Sequence, residues 1–215
     1  MRFLSVASSP SSKVERVERL HIGCGKSPIS GWLNVDQFPL PGVDRVLDVG
    51  EGLPFENVAF LYAEHFLEHL ALQEGLAFLR ACRRVLAPLG VLRLSTPNLD
   101  WVMKTHYRIG QWANDEEAME DCLKMNRAFH GWGHQFLYNR QTLALALRVA
   151  GFERISFHAY GRSDRPELSG LEQHDKWEDE PDLPHVIIAQ ATGIAALDVP
   201  NPEPFQIYHR DVTLR

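Results

Sequence analysis

The run of residues from Arg19 to Asp36 constrains the fold of this chain more than any other part of the sequence. It consists of a short apolar stretch, the tight loop Gly23-Cys24-Gly25, a second apolar stretch and the acid Asp36. This order is typical of a nucleotide-type site on a parallel sheet, where a strand ends, glycines let a ligand approach the backbone, and a carboxylate after the next strand binds two ribose hydroxyls. The run therefore predicts an α/β fold and a ligand that carries a ribose.

Composition and charge exclude several other classes of protein. The 215-residue chain is 45% hydrophobic with a net charge of −6, and no cluster of Lys and Arg stands out, so a nucleic-acid partner is not expected. No apolar run reaches the roughly 18 residues that a membrane span needs, so no membrane partner is expected either. Cys24, Cys82 and Cys122 are odd in number and widely spaced, which indicates reduced thiols in a cytoplasmic protein.

Apolar runs along the chain predict strands and helices in alternation, which is typical of a doubly wound, mostly parallel sheet. One helix is predicted around the apolar positions from Leu72 to Leu86, ended by Pro88 and Gly90, and another between the N-cap Asn139 and the C-cap Gly151. Strands are expected near residues 19–22, 32–35, 44–47, 58–62, 91–95, 152–160 and 185–192.

The same patterns divide the chain into segments. Residues 1–18 are expected to be an N-terminal leader, residues 19–192 the folded domain, and residues 193–215 a tail of unknown role. Residues 99–137 are rich in Trp, Tyr and His, contain a predicted helix over 115–127, and are expected to form a lid inserted after the fifth strand.

The glycine loop departs from the fingerprint of dinucleotide-binding proteins. That fingerprint needs a third glycine where this chain has Pro28, and it expects its acid about twenty residues on, whereas Asp36 follows Gly25 by eleven positions. A pyrophosphate ligand, and with it a nicotinamide-dependent oxidoreductase, is therefore disfavoured. A ligand with a ribose and an adenine but no phosphate agrees better with this spacing.

Six segments in this order resemble the motifs of the class I S-adenosylmethionine-dependent methyltransferases, in particular a compact small-molecule branch similar to methyltransferase type 11. The matching segments are residues 20–25, Asp36, Asp48 with residues 53–55, residues 64–70, residues 86–92 and residues 96–98. The resemblance implies a Rossmann-like methyltransferase fold, with a doubly wound, mostly parallel seven-stranded sheet and a lid insertion after strand five. It also implies S-adenosyl-L-methionine as the cofactor.

Carried over residue by residue, the resemblance implies a cofactor site and an acceptor class. The cofactor-binding residues would be Ile22, Gly23, Cys24, Gly25, Asp36, Asp48, Leu53, Glu64 and His65. The expected reaction is an in-line displacement that methylates an oxygen of a small polar acceptor, such as a sugar-like metabolite. Simpler interpretations remain: the glycines could form only a tight turn, Asp36 could cap that turn, Asp48 could be a solvated strand end, and Cys24 could fill a small space in the core.

Histidines are the candidate catalytic residues. His65 follows the fourth strand, where a doubly wound sheet opens its crevice, and is predicted to be a general base or a substrate contact. His130 and His134 flank Gly131-Trp132-Gly133, which predicts either a mobile loop over the substrate or a lid packed by aromatic residues with surface histidines. His65 and His69 have metal-ligand spacing if that segment is helical, but the spacing marks no third ligand, so no metal site is expected.

Two other classes of function stay open. A catalytically silent binding module would keep the cofactor site without turnover, and an oxidoreductase would bind nicotinamide dinucleotide instead. A small-molecule acceptor is the expected partner, and a homodimer is left open.

Overall fold

The computed structural model describes residues 14–174, 176, 180, 182–194 and 202–213. Most of the expected N-terminal leader and part of the expected C-terminal tail lie outside these residues.

The core of the protein is a seven-stranded sheet. Its strands are β2 (Arg19–Ile22), β3 (Leu33–Asp36), β4 (Arg45–Val46), β6 (Val58–Glu64), β7 (Leu86–Pro97), β8 (Arg154–His158) and β9 (Val186–Thr192). They lie in the order β4-β3-β2-β6-β7-β9-β8 and are parallel except β9, which pairs antiparallel with β7 and β8. A separate pair, β1 (Glu15–Arg16) with β5 (Phe55–Glu56), is also parallel. The predicted fold class, a doubly wound and mostly parallel seven-stranded sheet, is confirmed.

The strand order reverses between β2 and β6, and this topology positions the site. β2 has β3 on one side and β6 on the other, both parallel to it. The carboxyl ends of the three strands therefore open at the same edge, where ligands bind in doubly wound sheets. The glycine loop follows β2, Asp36 is the last residue of β3, and His65 follows β6.

Three helices pack into the main core with the central strands. α1 (Leu72–Val85), α4 (Arg140–Val149) and α5 (Glu203–Thr213) contribute buried residues, including Leu79, Leu147 and Phe205. Asn139 caps α4, as predicted, by accepting a hydrogen bond from the Thr142 backbone N–H. The helix α5 was not predicted, because its periodicity is weak and only Phe205 on it is buried.

The end of α1 and the start of β7 differ from the prediction. The helix ends at Val85, before Pro88, and β7 extends over twelve residues rather than the expected five. A proline disfavours helical conformation at the preceding residue, so the chain leaves the helix early and pairs with β6 instead. At its C-terminal end β7 continues to Pro97, because its residues from Val91 to Pro97 pair with β9.

Residues 99–137, called the helical insertion below, contain α2 (Leu99–His106) and α3 (Asp115–His130). Asp121 holds the loop between these helices by accepting hydrogen bonds from the backbone and guanidinium of Arg108 and from the Trp112 indole. The Arg108 guanidinium is the main reason that the pKa of Asp121 is lowered. The role of the helical insertion as a lid stays a prediction. Among the described residues, no helix combines the length and apolarity that crossing a membrane requires.

Candidate functional site

The glycine loop after β2 is tied to the end of β3. The backbone N–H groups of Gly23 and Cys24 both donate to the Val35 carbonyl oxygen, at 2.8 and 3.2 Å. Gly25 has a φ of +53°, and a Cβ on it would meet no heavy atom within 4 Å. The loop therefore exposes backbone beside open space, as close approach of a ligand requires.

Asp36 keeps hydrogen-bonding capacity for a ligand after it has fixed the loop. Its Oδ2 accepts from the Gly25 N–H at 2.9 Å, and its Oδ1 accepts from the Phe38 N–H at 3.0 Å. An ionised carboxylate offers about four lone-pair sites, so about two remain, one for each hydroxyl of a ribose diol. The turn-capping interpretation of Asp36 and the ligand-binding one are thus compatible.

A cavity of about 470 Å³ lies over this loop and is called the cofactor cavity below. Of the predicted cofactor-binding residues, it is lined by Ile22, Gly23, Gly25, Asp36, Asp48 and His65. The other lining residues include the apolar side chains Phe38, Leu40, Leu47, Val49 and Phe66. Phe38 is 57% exposed, and the sequence signal that points to it is an aromatic residue two positions after Asp36.

Asp48 has a local structural role at the wall of this cavity. It caps the short 3₁₀ turn Val49–Glu51 by accepting a hydrogen bond from the Gly50 backbone N–H at 2.8 Å. This capping orders the turn whose first residue, Val49, lines the cavity.

Three predicted cofactor-binding residues are not among those that line the cofactor cavity. Cys24 is buried, and burial raises the pKa of its thiol to about 11, which agrees with a core filler and not with a nucleophile. Leu53 packs against the main core. Glu64 binds the segment of Gln173 and His174 through both backbone N–H groups and the His174 ring. The cofactor contacts assigned to these three residues stay predictions.

The ionisation of Glu64 reflects these contacts. Burial alone would raise the pKa of the carboxyl, but hydrogen bonds from the His174 ring and from the backbone N–H groups of Gln173 and His174 outweigh burial and lower the pKa. Glu64 therefore holds, as a carboxylate, the chain segment that packs beside His65, whose ring lies 4.6 Å from that of His174.

His65 has an unusual backbone and a defined orientation. Its φ is +45°, which is rare for a residue with a side chain and often found where a site requires it. Its Nδ1 donates to Oε1 of Glu68 at 3.0 Å, and its Nε2 is buried and has no hydrogen-bond partner among the described residues. Burial opposes a charge on the ring, but the hydrogen bond and the charge of Glu68 outweigh burial and raise the pKa of His65.

A second cavity, of about 620 Å³, lies between β7, β9 and the helical insertion and is called the acceptor cavity below. Its walls are mostly apolar, with Trp101, Val102, Leu137 and Val186 among them. Lys124 and Arg127, three positions apart on α3, add two cations to the same wall. No sequence pattern marks these two residues, because α3 carries many charges and only the fold shows which of them face the cavity.

His65 and Trp132 line both cavities. Trp132 is 70% exposed, has a φ of +57°, and lies in the predicted loop between His130 and His134. Of the other histidines proposed for catalysis, His134 lines the acceptor cavity, whereas His130 is exposed and lines neither cavity. The catalytic roles of all three histidines stay predictions.

Three further ligand-type side chains meet where the cavities join. One ligand atom each of Glu68, His69 and His134 lies within 4.8 Å of the other two. The segment from His65 to His69 is not an α-helix. It follows the end of β6 at Glu64 and forms the 3₁₀ turn Leu67–His69. The group that could hold a metal ion contains His69 but not His65, and it is completed by Glu68 and by His134, which is distant in sequence.

Comparisons with known proteins agree with the fold. No protein-family model matches the sequence, and no curated protein matches it. Among solved structures, the chain is similar to DhpI in complex with SAH, with a TM-score of 0.50, 15% identity, and coverage of 84% of this chain and 78% of that one. It is also similar to an S-adenosylmethionine-dependent methyltransferase from Mesorhizobium loti, with a TM-score of 0.49, 17% identity, and coverage of 83% and 92%.

At this level of identity the comparisons show the fold. The strand order with one antiparallel strand, together with the DhpI structure, defines the chain as having the class I methyltransferase fold. The activity is argued from the site itself.

Proposed function

We propose that the chain is an S-adenosylmethionine-dependent methyltransferase that methylates a hydroxyl of a small acceptor. The observation that carries this proposal is the meeting of the cofactor cavity and the acceptor cavity at His65 and Trp132. In-line transfer requires the methyl donor and the acceptor to lie in adjacent pockets, and two cavities that share His65 and Trp132 in their walls support this arrangement.

The residues present are suited to S-adenosylmethionine. Asp36 has acceptor capacity for two ribose hydroxyls, and Gly25 leaves space for close approach. Phe38, Leu40 and Leu47 offer an apolar surface to a purine. When bound, the cofactor supplies a methyl on a positively charged sulfur, and transfer to an acceptor hydroxyl yields the methyl ether, S-adenosylhomocysteine and one proton.

The contribution of this chain to the reaction is mainly alignment and proton transfer. The hydrogen bond from Nδ1 to Glu68 fixes the tautomer of a neutral His65, so that Nε2 carries the lone pair. Because His65 lines both cavities, we place it beside the reacting hydroxyl as the group that receives its proton. Trp132 lies at the same junction, where it would restrict access of water.

Titration calorimetry with S-adenosylhomocysteine tests the cofactor. We expect wild-type protein to bind and Asp36→Ala to lose at least tenfold in affinity, while Glu51→Ala, an exposed acid on the neighbouring turn, binds like wild type. Absence of binding to wild type would overturn the proposal. Binding of nicotinamide dinucleotide instead would indicate an oxidoreductase, and cofactor binding without turnover on any acceptor would indicate a silent binding module.

The walls of the acceptor cavity support a more specific acceptor. Trp101, Val102 and Leu137 favour a ring with an apolar face, and Lys124 and Arg127 favour an acidic substituent. An aromatic hydroxy acid satisfies both conditions. A sugar-like acceptor, which the family resemblance implies, would place several hydroxyls against the mostly apolar walls, and it stays the alternative.

A panel of acceptors separates these possibilities. The panel contains hydroxybenzoates, neutral phenols, monosaccharides and uronic acids, and product formation is followed by mass spectrometry. We expect turnover of hydroxybenzoates, and Arg127→Gln should raise their KM at least fivefold while leaving neutral phenols within twofold. Turnover of monosaccharides alone would reject the aromatic acceptor and favour the sugar-like one.

A further inference from the structure

We infer that Glu68, His69 and His134 form a binding site for one divalent transition-metal ion, of which zinc is the type best suited to these ligands. Their ligand atoms lie within 4.8 Å of one another. In a tetrahedral site, ligand atoms about 2.0–2.2 Å from a zinc ion lie about 3.3–3.6 Å apart, so binding requires the three side chains to close by at most about 1.5 Å. Two imidazoles and one carboxylate form a recurrent set at catalytic metal sites with an open position.

Glu68 provides an independent observation in favour of a cation. Its side chain is 0% exposed, and while Oε1 accepts from His65, Oε2 is buried with no hydrogen-bond partner among the described residues. A buried, unpaired carboxylate oxygen is costly and requires an explanation. A metal ion bound to Oε2 would supply the missing partner.

His134 is held in the form that binds a metal. Its Nδ1 lies 2.8 Å from the Ala128 carbonyl oxygen, which can only accept, so Nδ1 carries the hydrogen and Nε2 of the neutral ring is unprotonated. Histidines that bind metals usually donate their other N–H to a carbonyl or a carboxylate in this way. The hydrogen bond from His65 to Glu68 would orient the carboxylate ligand by the same principle.

The backbone joins the two segments that carry these ligands. The Glu68 carbonyl oxygen accepts hydrogen bonds from the N–H groups of Gln135 and Phe136, at 2.7 and 3.2 Å. The rings of His69 and His134 lie 5.3 Å apart as a result. The three ligands are therefore held close together by the fold before any ion binds.

The position of the site suggests its role, and this part of the inference rests on the proposed function. His69 lines the cofactor cavity and His134 lines the acceptor cavity, so an ion between them would lie where the cavities join. An acceptor hydroxyl that binds the open position would be oriented beside the cofactor cavity, and the charge of the ion would favour loss of its proton to His65.

Metal binding is tested directly on protein without an affinity tag, after treatment with a chelator. Zinc is titrated by calorimetry with competition from a chelator of known affinity, and cobalt is titrated by its visible absorption, which reports coordination number and ligand type. We expect one zinc per chain and the absorption of a cobalt ion with four or five nitrogen and oxygen ligands. Absence of stoichiometric binding, or cobalt absorption typical of the hydrated ion, would overturn the inference without use of any variant.

Variants then assign the ligands. His69→Gln and His134→Gln should each weaken zinc binding at least tenfold, whereas His130→Gln, an exposed histidine on the same segment as His134, should bind zinc like wild type. Circular dichroism of each variant without metal checks that it is folded. Binding that survives both His69→Gln and His134→Gln would place the metal elsewhere and reject the site.

The same samples keep this inference separate from the proposed function. S-adenosylhomocysteine is titrated with and without zinc. Zinc binding without S-adenosylhomocysteine binding would keep the metal site and reject the methyltransferase, and the reverse result would reject only the metal site.

Discussion

The backbone N–H of Gly25 lies 2.9 Å from Oδ2 of Asp36, which joins the glycine loop to the acid at the end of β3. Two of the features that define the sequence motif are therefore in direct contact. A substitution at Asp36 is therefore expected to affect both the binding of the ligand and the conformation of the loop. Variants that keep or lose the hydrogen bond to Gly25 should differ in their affinity for the ligand.

Asp36→Asn should weaken S-adenosylhomocysteine binding less than Asp36→Ala. The amide oxygen of Asn can still accept from Gly25, but it lacks the charge that strengthens hydrogen bonds from the ribose hydroxyls. We expect a loss of about tenfold in affinity, which corresponds to about 1.4 kcal/mol. Calorimetry measures it, and equal affinities for Asn and Ala would show that the loop contact does not contribute.

Gly25→Ala should impair mainly cofactor binding, whereas Gly23→Ala should impair mainly the stability of the fold. A Cβ on Gly25 enters open space, whereas one on Gly23 would lie 2.4 Å from Cδ2 of Phe66. Both residues have a positive φ, which costs about 1–2 kcal/mol with a side chain. Gly25→Ala should therefore remain folded and lose cofactor affinity at least tenfold, while Gly23→Ala should show the larger fall in Tm. Wild-type affinity in Gly25→Ala would contradict a ligand at this loop.

The ion pair of Arg93 and Glu172 fixes the segment that packs beside the site. Both side chains are 0% exposed, and their closest nitrogen and oxygen atoms are 2.7 Å apart. Glu172→Leu alone should lower the free energy of unfolding by about 3–5 kcal/mol, because it leaves a buried charge without its partner.

The double variant Arg93→Met with Glu172→Leu is the control for this pair. It removes both charges together, so most of the lost stability should return. Urea denaturation of both variants measures the difference. A loss below about 1 kcal/mol in the single variant would show that water or another group compensates Arg93.

Glu64 should stabilise the fold in a pH-dependent way. The pKa of Glu64 is lowered in the folded protein. Its contribution to the free energy of unfolding is therefore complete above the ordinary pKa of Glu and is lost as the pH falls through the lowered pKa of the folded state. Glu64→Gln should therefore be less stable than wild type by about 1.5–3 kcal/mol near pH 7, with a smaller difference at pH 3.

Urea denaturation across this pH range measures the effect. Glu56→Gln, which removes one partner of an exposed ion pair with Arg16, serves as the control and should change stability by less than about 1 kcal/mol. A difference between wild type and Glu64→Gln that stays constant with pH would show that the carboxylate charge is not responsible.

Several features could be predicted because they depend on local sequence. Buried parallel strands require continuous apolar runs, so the sheet from β2 to β9 was apparent in the pattern. The spacing of the glycines and Asp36 placed them at the opening of the sheet, and Asn139 was recognised because a cap depends on neighbouring residues only.

Other features depend on contacts between residues that are distant in the sequence. The antiparallel position of β9 between β7 and β8, the packing of Phe205, and the contact of Glu64 with residue 174 follow from tertiary packing, and no local pattern specifies them. For the same reason the sequence indicated His134 as a candidate catalytic residue but not as a neighbour of His69.

The sequence by itself determined the fold class and the glycine loop, because strand burial, glycine geometry and a strand-end acid depend on short segments of the chain. Only the tertiary structure decided which residues of the helical insertion face the sheet. It brought Trp132, Lys124 and Arg127 to one cavity wall and placed His134 beside Glu68, since packing between elements, and not spacing along the chain, sets those distances.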